Sequence, residues 1–582
     1  PGRREWQYPG HLSLQCMTLY QQDGPGLFAG TDDADAYVKR FCVFGGVRGR
    51  LGLEVIHLPE GGSKGEPRYE TPYNVTLGAF EGDWFTAAER YRRWALEQPW
   101  AAQSRLRTGA GADWADATGL WVWNRGRSEQ VLEPAVALQE RAGLPVSVFW
   151  HWWHGCPYDI GFPEYLPPRE GAESFRAAVR KAHDAGVHAM VYMNQRLWGM
   201  TTESWTAQGA ERYAVKGPDG KVHPEYYNTF KRAPCASMCL GTPFWRNTYA
   251  GLAEEAVLDL GVDAIYMDQA CLSLACYDPT HGHPIGGGTY WVNGFRMLQA
   301  DIRERCRAGD GAGGHPGSFN VVLAGEGCGE AWLPYLDLML SLQVSMERYA
   351  APSAWRPIPF FHAVYHGYAM FFGNYSSLTM PPYDELWPAE FAPEEPLKLL
   401  DTAFAQQFRL EHARAFVWGQ QPTIANFRPS HFDERPAELA YLIRLAKLRL
   451  EALEYLHLGT MLRPPAVPVA DEEIDISRLS IYAGQKGALS QHRKPCPAVL
   501  ASAWQASDGD VCVVVANVSD DPQRFTLALP EEAYPIPAGC TVFRIDADGK
   551  RELGAFQADA PLDVALPPAD AAIYEFMRAA GN

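Results

Sequence analysis

The stretch GVDAIYMDQACLS (Gly261 to Ser273) decides the fold. An apolar run that ends at Met267 is followed directly by Asp268, and a helix-like segment precedes it. Apolar strands of this kind are typical of a parallel sheet that is buried on both faces. The C-terminal tip of such a strand is where parallel α/β folds place their chemistry, although an Asp there can also cap a helix or a turn. We therefore predict a parallel α/β core with Asp268 at its functional edge.

The middle of the chain, from about 116 to 450, repeats this pattern of strand and helix. The segments between the first five strands are amphipathic at helical period and end in Gly, a common helix C-cap. The predicted fold class is α/β, a (β/α)8 TIM-type barrel. A doubly wound open sheet is the alternative, but no Gly-rich dinucleotide loop follows the first strand. The predicted strands lie at 119–124, 146–153, 188–195, 263–268, 319–327, 336–344, 362–372 and near 415–425.

Both ends of the chain have the pattern of β structure. Residues 1 to about 100 alternate short β-like runs with Gly/Pro turns and lead into a helix over 82–98, with Asp83 as its N-cap. A helix over 438–456 should close the barrel, and β-like runs resume after Pro464. The predicted domains are an N-terminal β-sandwich with its linking helix (1–115), the barrel (116–460) and a C-terminal β-sandwich (461–582).

The composition is that of a globular protein, and it excludes some partners. Of the 582 residues 47% are apolar and 21% are charged, and no apolar run approaches the 20 or so residues that span a membrane. A net charge of −18 without a Lys/Arg stripe argues against a nucleic-acid partner. The 19 Trp, 27 Tyr and 26 Phe include rings that could stack on sugars, although most should be core. A homo-oligomer is compatible with this composition.

The 12 cysteines are scattered along the chain, which favours free thiols and a cytoplasmic over a secreted location. The chain opens at Pro1 with neither Met nor a signal peptide, as a fragment would. Cys235-x3-Cys239 and Cys271-x4-Cys276 could bind zinc, but their spacings fit no common zinc pattern. His281-x-His283 is better explained as a loop feature than as half of a metal site. We predict neither a metal nor a cofactor.

Polar and aromatic side chains follow the predicted strands, whose C-terminal ends should meet on one face. Carboxylates, amides, imidazoles, an Arg and Trp rings together suit a polyhydroxylated ring, and neither HExxH nor a familiar Ser–His–Asp order occurs. The candidate substrate-binding residues are Trp123, His151, Trp153, His154, Asp159, Asn194, Arg196, Tyr365 and His366.

Some of these residues have an equally plain structural explanation. Trp152 and Trp153 alternate across a strand, so at most one of them faces the cleft. Asn194 could bind a sugar hydroxyl or form a turn. His154 and Asp159 lie in one loop, and either could clamp a diol.

The key pair is Asp268 and Glu326, on successive predicted strands. Glycoside cleavage needs one carboxylate at the anomeric carbon and a second acid at the leaving oxygen. Neighbouring strand ends can bring two carboxyls to about 5 Å, as retention of configuration requires, or further apart, as inversion requires. Gly325 and Gly327 let the backbone approach closely and leave the Glu326 side chain projecting into a cleft.

Two further glutamates are rival acids. Glu330 enters the next helix, so a structural role at the helix terminus is favoured. Glu347 has Arg348 as its neighbour, and a plain ion pair would explain it.

Four stretches together resemble a known group of enzymes: GDWFTAAERYRRWA (82–95), 163–198 around the third strand, MCLGTPFWRN (238–247) and IYMDQA (265–270). The group comprises the (β/α)8 α-glycosidases related to glycoside hydrolase families 27, 31 and 36, and more closely families 101 and 129, which act on α-linked N-acetylgalactosamine. The resemblance spans roughly residues 80 to 450 and is that of a poorly characterised sister family.

This resemblance implies roles for the two key carboxyls. In those families the Asp that ends the fourth strand is the nucleophile, which falls on Asp268, and the Glu acid/base of families 101 and 129 falls on Glu326. The WxDMNE and SGGGRxD motifs of families 31 and 36 do not occur. We therefore predict a retaining α-glycoside hydrolase that acts on an α-linked galactose-, N-acetylgalactosamine-type or related glycan, with an oligo- or polysaccharide as its partner.

Two other functions remain open at this point. The barrel could bind carbohydrate without catalysis and use its carboxylates only to recognise hydroxyls. It could also be a metal-dependent carbohydrate deacetylase or hydrolase that uses His151, His154 and Asp159. The sugar, and the choice between exo and endo cleavage, depend on loops that the sequence does not place.

Overall fold

The computed structural model describes residues 2–22, 24–45, 50–61, 69–227, 231–308, 313–314, 319–348, 356–478, 490–536, 539–557 and 560–578. Antiparallel strands occupy both ends of the chain, and a parallel sheet with helices lies between them. Among the described residues no helix is both long enough and apolar enough to cross a membrane.

The N-terminal strands form two antiparallel sheets of three strands, in the orders β1-β4-β5 and β2-β3-β6. Exposed and partly buried residues alternate along most of β6, as expected of a strand with one covered face. The strands are β1 Arg3–Tyr8, β2 Cys16–Tyr20, β3 Gly24–Asp32, β4 Lys39–Gly45, β5 Leu51–His57 and β6 Asn74–Gly82.

Helix α1, Trp84–Ala95, connects these sheets to the parallel sheet and confirms the predicted helix. The Asp83 side chain accepts hydrogen bonds from the backbone N–H groups of Phe85, at 2.9 Å, and Thr86, at 3.3 Å. This N-cap satisfies two donors that the first turn would otherwise leave free. Tyr91, on the buried face of α1, points into the core.

The central sheet has nine parallel strands in the order β15-β14-β13-β12-β9-β8-β7-β17-β16. Strands β7 and β8 are buried along their whole length, which explains their near-continuous apolar sequence. The strands are β7 Leu120–Arg125, β8 Val146–His151, β9 His188–Asn194, β12 Ala264–Asp268, β13 Val322–Glu326, β14 Leu338–Leu340, β15 Met370–Phe372, β16 Ser376–Ser377 and β17 Thr423–Ala425. Strands β10 Leu197–Gly199 and β11 Cys235–Ser237 form a separate antiparallel pair in the loop after β9.

The two edges of this sheet lie next to each other. Edge strands β15 and β16 are separated only by residues 373–375, so they are two pieces of one strand. A parallel bridge joins Phe372 to Gln421, just before β17, and the Gln421 N–H donates to the Phe371 carbonyl at 2.8 Å. The sheet therefore curves until its edges meet, and the C-terminal ends of its strands face one another.

The helices alternate with the parallel strands as predicted. Helix α4 ends at Gly143, which adopts φ +64°, the left-handed C-cap that the sequence predicted. After α1 they are α2 Pro99–Ala102, α3 Asp113–Ala117, α4 Ser128–Ala142, α5 Ala172–Asp184, α6 Glu203–Ala207, α7 Pro243–Glu254, α8 Tyr290–Ala308, α9 Phe360–Tyr365, α10 Ala405–Val417, α11 His431–Glu434, α12 Pro436–Leu450 and α13 Leu453–Leu456.

The last predicted strands differ from the observed ones. The segment predicted as a strand over 362–372 starts in helix α9 and only its end forms β15. Over 336–344 only β14 is a strand, and a 3-10 helix, Leu342–Arg348, follows it. Near 415–425 helix α10 continues to Val417 before β17 begins. The reason is that a buried helix and a buried strand give the same short apolar run.

The C-terminal strands form a six-stranded antiparallel sheet in the order β18-β21-β22-β27-β24-β25, and two sheets of two strands. Strand β22 is fully buried, and the strands share an apolar core of their own. They are β18 Thr460–Leu462, β19 Asp471–Arg478, β20 Ser490–Pro497, β21 Val499–Gln505, β22 Val511–Asn517, β23 Gln523–Leu527, β24 Thr541–Asp546, β25 Gly549–Ala555, β26 Leu562–Leu566 and β27 Ala571–Met577.

Candidate active site

Asp268 and Glu326 are the last residues of neighbouring parallel strands, β12 and β13. The register pairs Met267 with Gly325, so the next residues along both strands lie side by side. Both carboxyl groups line one recess, and the charge of Asp268 contributes to the raised pKa of Glu326. The structure thus brings the two predicted carboxyls together at one edge of the sheet.

The backbone of the turn after β12 also binds the Glu326 carboxyl. Gln269 has φ +60°, a left-handed conformation that a residue with a side chain adopts at a cost. This conformation turns the chain sharply after Asp268, and the Gln269 N–H donates to Glu326 Oε2 at 3.1 Å. The position of Glu326 is therefore fixed by the backbone of the strand that carries its partner.

Two side chains from β9 donate to one oxygen of Asp268. The Tyr192 hydroxyl and the Asn194 amide both reach Oδ2, each at 2.8 Å. The carbonyl oxygen of the Asn194 side chain accepts from the backbone of Arg196 and Leu197, at 3.1 and 2.9 Å, which fixes the orientation of its amide. Neither Tyr192 nor Asn194 donates to Oδ1 of Asp268, so the two carboxylate oxygens are inequivalent.

The surroundings of the pair affect the pKa values of the two carboxyls differently. Burial, followed by the charge of Asp268, raises the pKa of Glu326 to about 8. Burial also raises the pKa of Asp268, but the bonds from Tyr192 and Asn194 oppose that rise. A pKa of about 8 favours the protonated form of Glu326 at neutral pH.

The pair lies where a narrow recess meets a wide cleft. The recess, of about 40 Å³, is lined by Asp268, Glu326 and aromatic side chains. It shares Tyr227, Gln269 and Glu326 with a cleft of about 820 Å³ that also borders the N-terminal sheets. Glu326 lines both the recess and the cleft, whereas Asp268 lines the recess.

One wall of the cleft is an ion pair within the loop after β9. Arg196 contacts Glu225 through both ends of its guanidinium, with Nη2 and Oε2 2.9 Å apart, and it also reaches the Tyr227 hydroxyl at 2.9 Å. Burial would raise the pKa of Glu225, but Arg196, Ser237 and Tyr227 lower it to about 2. Glu225 is therefore ionised, and this wall offers fixed donors and acceptors.

Five of the predicted binding residues lie at the recess or the cleft. Trp123, His151, Asp159 and Asn194 line the recess, and Arg196 lines the cleft. Burial, followed by the charge of Asp268, raises the pKa of Asp159 well above its usual range. Burial lowers the pKa of His151, whose ring packs on that of Tyr192 with centroids 4.5 Å apart. Asp159 and His151 are thus polar groups beside the acidic pair, and burial disfavours the charged form of each.

The structure places Trp153 and His154 away from the recess. Trp153 packs on Phe175 of α5, and its ring N–H donates to the Tyr192 carbonyl at 2.8 Å. His154 is fully buried, and its Nδ1 lies 2.7 Å from the Cys156 carbonyl. Both residues lie beyond the end of β8 at His151 and after the left-handed Trp152, so the alternation of the strand does not set their directions.

Tyr365 and His366 also lie elsewhere, because they precede β15 rather than follow it. Tyr365 ends helix α9, and its hydroxyl donates to Glu330 at 2.8 Å. His366 contacts the Gly459 carbonyl through Nδ1 at 2.7 Å and packs on Trp504. These residues belong to the contact between the sheet and the terminal strands.

Glu330, the first rival acid, is fully buried away from the cleft. Its carboxyl accepts from the Tyr91 hydroxyl at 2.8 Å, the Tyr365 hydroxyl at 2.8 Å and the Gln15 amide at 3.2 Å. Burial raises its pKa to about 7, although these donors oppose the rise. It connects the N-terminal strands and α1 to the central sheet.

Glu347, the second rival, forms an ion pair, but not with its neighbour in sequence. Arg414 of α10 holds it through both guanidinium ends, at 2.9 and 3.0 Å. Arg348 pairs instead with Glu411, at 2.7 and 2.8 Å. Neither of the two rival acids, Glu330 and Glu347, lines the cleft.

Sequence reasoning missed several residues at the site. Tyr192 and Gln269 lie within strand or turn stretches whose side-chain directions the sequence leaves open. Glu225 and Tyr227 come from a long loop without a strong pattern. The alternation along β9 places Tyr192 on the same face as Asn194, which is the signal that identifies it.

Two groups of potential metal ligands occur among the described residues. In each group, one ligand atom per side chain lies within 4.8 Å of all the others. They are His183, His188 and Asp263, and Cys239, Cys276, His281 and His283. Among the described residues, His151, His154 and Asp159, the ligands that the deacetylase hypothesis uses, do not form such a group.

A family model described as "Domain of unknown function (DUF6259)" matches residues 69–376, more than half of the chain. The chain belongs to the DUF6259 family. The DUF6259 match begins before β6 and ends at β16, so it includes both Asp268 and Glu326.

Two curated relatives are similar over nearly all of this chain. One, "Putative glycoside hydrolase 22789" of Monosiga brevicollis, is 24% identical over 95% of the chain. The match covers 46% of that relative, so the chain spans just under half of its length. The other, "Putative glycoside hydrolase" of Bacteroides thetaiotaomicron, is 21% identical over 90% of the chain and 70% of the relative.

Solved structures of α-glycosidases share the fold. The α-N-acetylgalactosaminidase NagBb of Bifidobacterium bifidum has a TM-score of 0.55 at 14% identity, over 87% of this chain and 74% of that one. The GH36 α-galactosidase AgaA of Geobacillus stearothermophilus has a TM-score of 0.57 at 10% identity, over 99% and 71%. At these identities the likeness shows the fold alone.

Proposed function

We propose that this DUF6259 protein is a retaining α-glycoside hydrolase, with Asp268 as nucleophile and Glu326 as acid/base. The observation that carries the proposal is a pair of partly buried carboxyls at adjacent strand ends, which line one recess beside a large cleft. Retaining glycosidases place their carboxyls about 5 to 5.5 Å apart, whereas inverting ones leave room for a water between them. The glycoside hydrolase names of the two relatives point to the same reaction class.

In the first step, Oδ1 of Asp268 attacks the anomeric carbon while the bond to the leaving oxygen breaks. Tyr192 and Asn194 hold Oδ2, so they orient the carboxylate and stabilise the anion that must react. Glu326 gives its proton to the departing oxygen, a role for which a pKa of about 8 suits it. The product is a β-linked glycosyl ester on Asp268 and a free alcohol.

In the second step, the ionised Glu326 takes a proton from water as that water attacks the anomeric carbon. The ester bond breaks, Asp268 recovers its electron pair and the sugar leaves with its original configuration. Esterification removes the charge of Asp268, which lowers the pKa of Glu326 and favours its role as base. No cofactor takes part in either step.

The substrate that we propose is a glycan with an α-linked galactose- or N-acetylgalactosamine-type sugar. Structural neighbours were solved with N-acetylgalactosamine, raffinose and stachyose. Trp123 offers an aromatic face, and Asp159 and His151 offer hydrogen-bonding groups beside the pair. Kinship with families 101 and 129 in particular remains part of this proposal.

The domain division is also a proposal. We assign the N-terminal β-sandwich with its helix to 1–115, the (β/α)8 barrel to 116–460 and the C-terminal β-sandwich to 461–582. Support comes from the change from antiparallel to parallel strands after α1, and back again after α13. The cleft borders Gln7 and Arg40 of the first part, which therefore shapes the proposed substrate site.

A panel of aryl α-glycosides tests this function, with product configuration followed by NMR. We expect release of phenol and an α-configured first product, and Asp268→Asn should lower kcat more than about 10⁴-fold while the fold persists. Glu347→Gln is the matched control, because that carboxyl pairs with Arg414 outside the cleft. Binding of sugars without phenol release would indicate a non-catalytic barrel, and a β-configured first product would contradict retention.

A further inference from the structure

A buried cluster of two cysteines and two histidines lies outside the carboxyl site. Cys239 follows β11, and Cys276, His281 and His283 lie in the loop between β12 and α8. Their four potential ligand atoms are all within 4.8 Å of one another, although 36 residues separate the two cysteines in the chain. The structure takes one cysteine from each of the two pairs that spacing alone had set aside.

We propose that Cys239, Cys276, His281 and His283 form a structural Zn²⁺ site. Zinc prefers four tetrahedral ligands of this type, at about 2.3 Å from sulfur and 2.0 to 2.1 Å from nitrogen, which places sulfur and nitrogen about 3.6 Å apart. The Cys239 sulfur lies 3.2 Å from His283 Nε2, and the Cys276 sulfur lies 3.5 Å from His281 Nδ1. The side chains thus already have the separation of ligands around one ion.

Both histidines present a free lone pair to the cluster, because a backbone carbonyl takes the proton of the other ring nitrogen. His281 donates from Nε2 to the Arg212 carbonyl at 2.8 Å, and His283 donates from Nδ1 to the Pro284 carbonyl at 2.7 Å. Such second partners are the usual support of metal-bound histidines, since they fix tautomer and ring orientation. The inward nitrogens are Nδ1 of His281 and Nε2 of His283, as the site requires.

The surrounding backbone is arranged to hold these side chains in place. Cys276 and Gly286 exchange two hydrogen bonds, at 2.9 and 2.7 Å, which closes the loop. The His283 ring stacks on Tyr290 with centroids 3.9 Å apart. A Cβ at position 241 would lie 2.2 Å from the His283 ring, so only glycine gives this imidazole room beside Cys239.

The ion would join two loops that border the proposed substrate cleft. The loop after β9 carries Arg196 and Glu225, and the loop after β12 begins with Gln269. The N-terminal sheets also touch the second loop, where Glu60 pairs with Gly286. Zinc here would therefore position the cleft walls without taking part in the reaction.

Zinc content of the untagged full chain tests this proposal independently of any activity. We expect about one Zn²⁺ per chain by inductively coupled plasma mass spectrometry, and loss of most of it in Cys239→Ser and Cys276→Ser. Cys306→Ser is the matched control, because Cys306 is a buried cysteine on α8 outside the cluster. His183→Ala tests the second group of potential ligands and should leave the metal content unchanged.

Cobalt substitution covers the case in which the cysteine variants do not fold. Co²⁺ added to the chelator-treated native chain should give the intense visible bands of a tetrahedral site and a thiolate charge-transfer band. In His283→Ala, whose side chain is only partly buried, the bands should weaken and shift. A metal content near zero after growth with zinc, metal that persists in both cysteine variants, or a Cys239–Cys276 disulfide found by peptide mapping would each overturn the proposal.

Discussion

Glu326 and Glu330 lie four residues apart in the sequence but differ in burial and in hydrogen-bond partners. Both are acids with a raised pKa, about 8 for Glu326 and about 7 for Glu330, and burial is the largest cause in each case. Glu326 lies beside another carboxyl and is partly accessible from the cleft, whereas Glu330 is fully buried among hydroxyl and amide donors.

This contrast shows how a catalytic carboxyl differs from a structural one. The donors around Glu330 compensate much of the cost of burying it, so it can tie Tyr91 and Tyr365 together. Glu326 receives one backbone bond from Gln269, and burial followed by the charge of Asp268 raises its pKa and favours its protonated form. Such an incompletely compensated group is typical of functional sites.

The largest effect expected from the comparison of these two glutamates is the difference in activity between Glu326→Gln and Glu330→Gln. Loss of the acid/base should lower hydrolysis of an unactivated glycan about 10³-fold, since general acid–base catalysis contributes about 10² to 10⁴. An aryl glycoside with a good leaving group should lose less in the first step, because its oxygen needs no proton. Steady-state kinetics on both substrates measure this difference.

Azide supplies the control for this first pair of variants. A small anion can replace the water that Glu326 would activate, so azide should restore turnover of the aryl glycoside in Glu326→Gln and do nothing for Glu330→Gln. If Glu330→Gln lost as much activity as Glu326→Gln while remaining folded, the division of roles between the two glutamates would be wrong.

The second prediction concerns stability against pH. The pKa of Glu330 is raised to about 7, above its ordinary value, so its stabilising contribution is complete at pH values below the ordinary pKa and is lost as pH rises to 7. The difference between pH 4.5 and pH 8 should be about 3 kcal/mol for this group. Chemical denaturation of the wild type and Glu330→Gln across this range measures it.

Only the change in slope is diagnostic, because the substitution also alters hydrogen bonds at every pH. The free energy of unfolding of Glu330→Gln should depend less on pH than that of the wild type between these limits. Glu347→Gln is a useful comparison, since Arg414 lowers the pKa of Glu347 despite its burial. Parallel curves for Glu330→Gln and the wild type would contradict the prediction.

The fold could be predicted well where strands are long and bounded by clear caps. The first five parallel strands and the helices between them follow the predicted order, because uniform burial leaves an apolar run and a Gly such as Gly143 ends the helix. The last strands are two or three residues long, and helix α9 hides within an apolar segment that suits either structure.

Of the candidate site, the sequence could predict the residues that stand at the ends of the parallel strands. Asp268, Glu326 and Asn194 come together because they end three consecutive strands of the sheet. Tyr365 was misplaced together with its strand. The Cys–His cluster could not be read from spacing, since its ligands come from two loops that meet only in three dimensions.

The smallest expected effect comes from removing one tyrosine hydroxyl at each carboxyl site. Tyr192→Phe removes a donor to Asp268, and Tyr91→Phe removes a donor to Glu330. The Tyr192 hydroxyl lowers the pKa of Asp268, so its removal should move the acidic limb of kcat/KM to higher pH and reduce kcat about 10-fold, as the loss of a hydrogen bond to a charged group would. The Tyr91 hydroxyl donates to Glu330, so its removal should lower the free energy of unfolding and leave the pH profile of the activity unmoved. An acidic limb that shifted equally in both variants would mean that the structural carboxyl influences the reaction, and the contrast between the two glutamates would then fail.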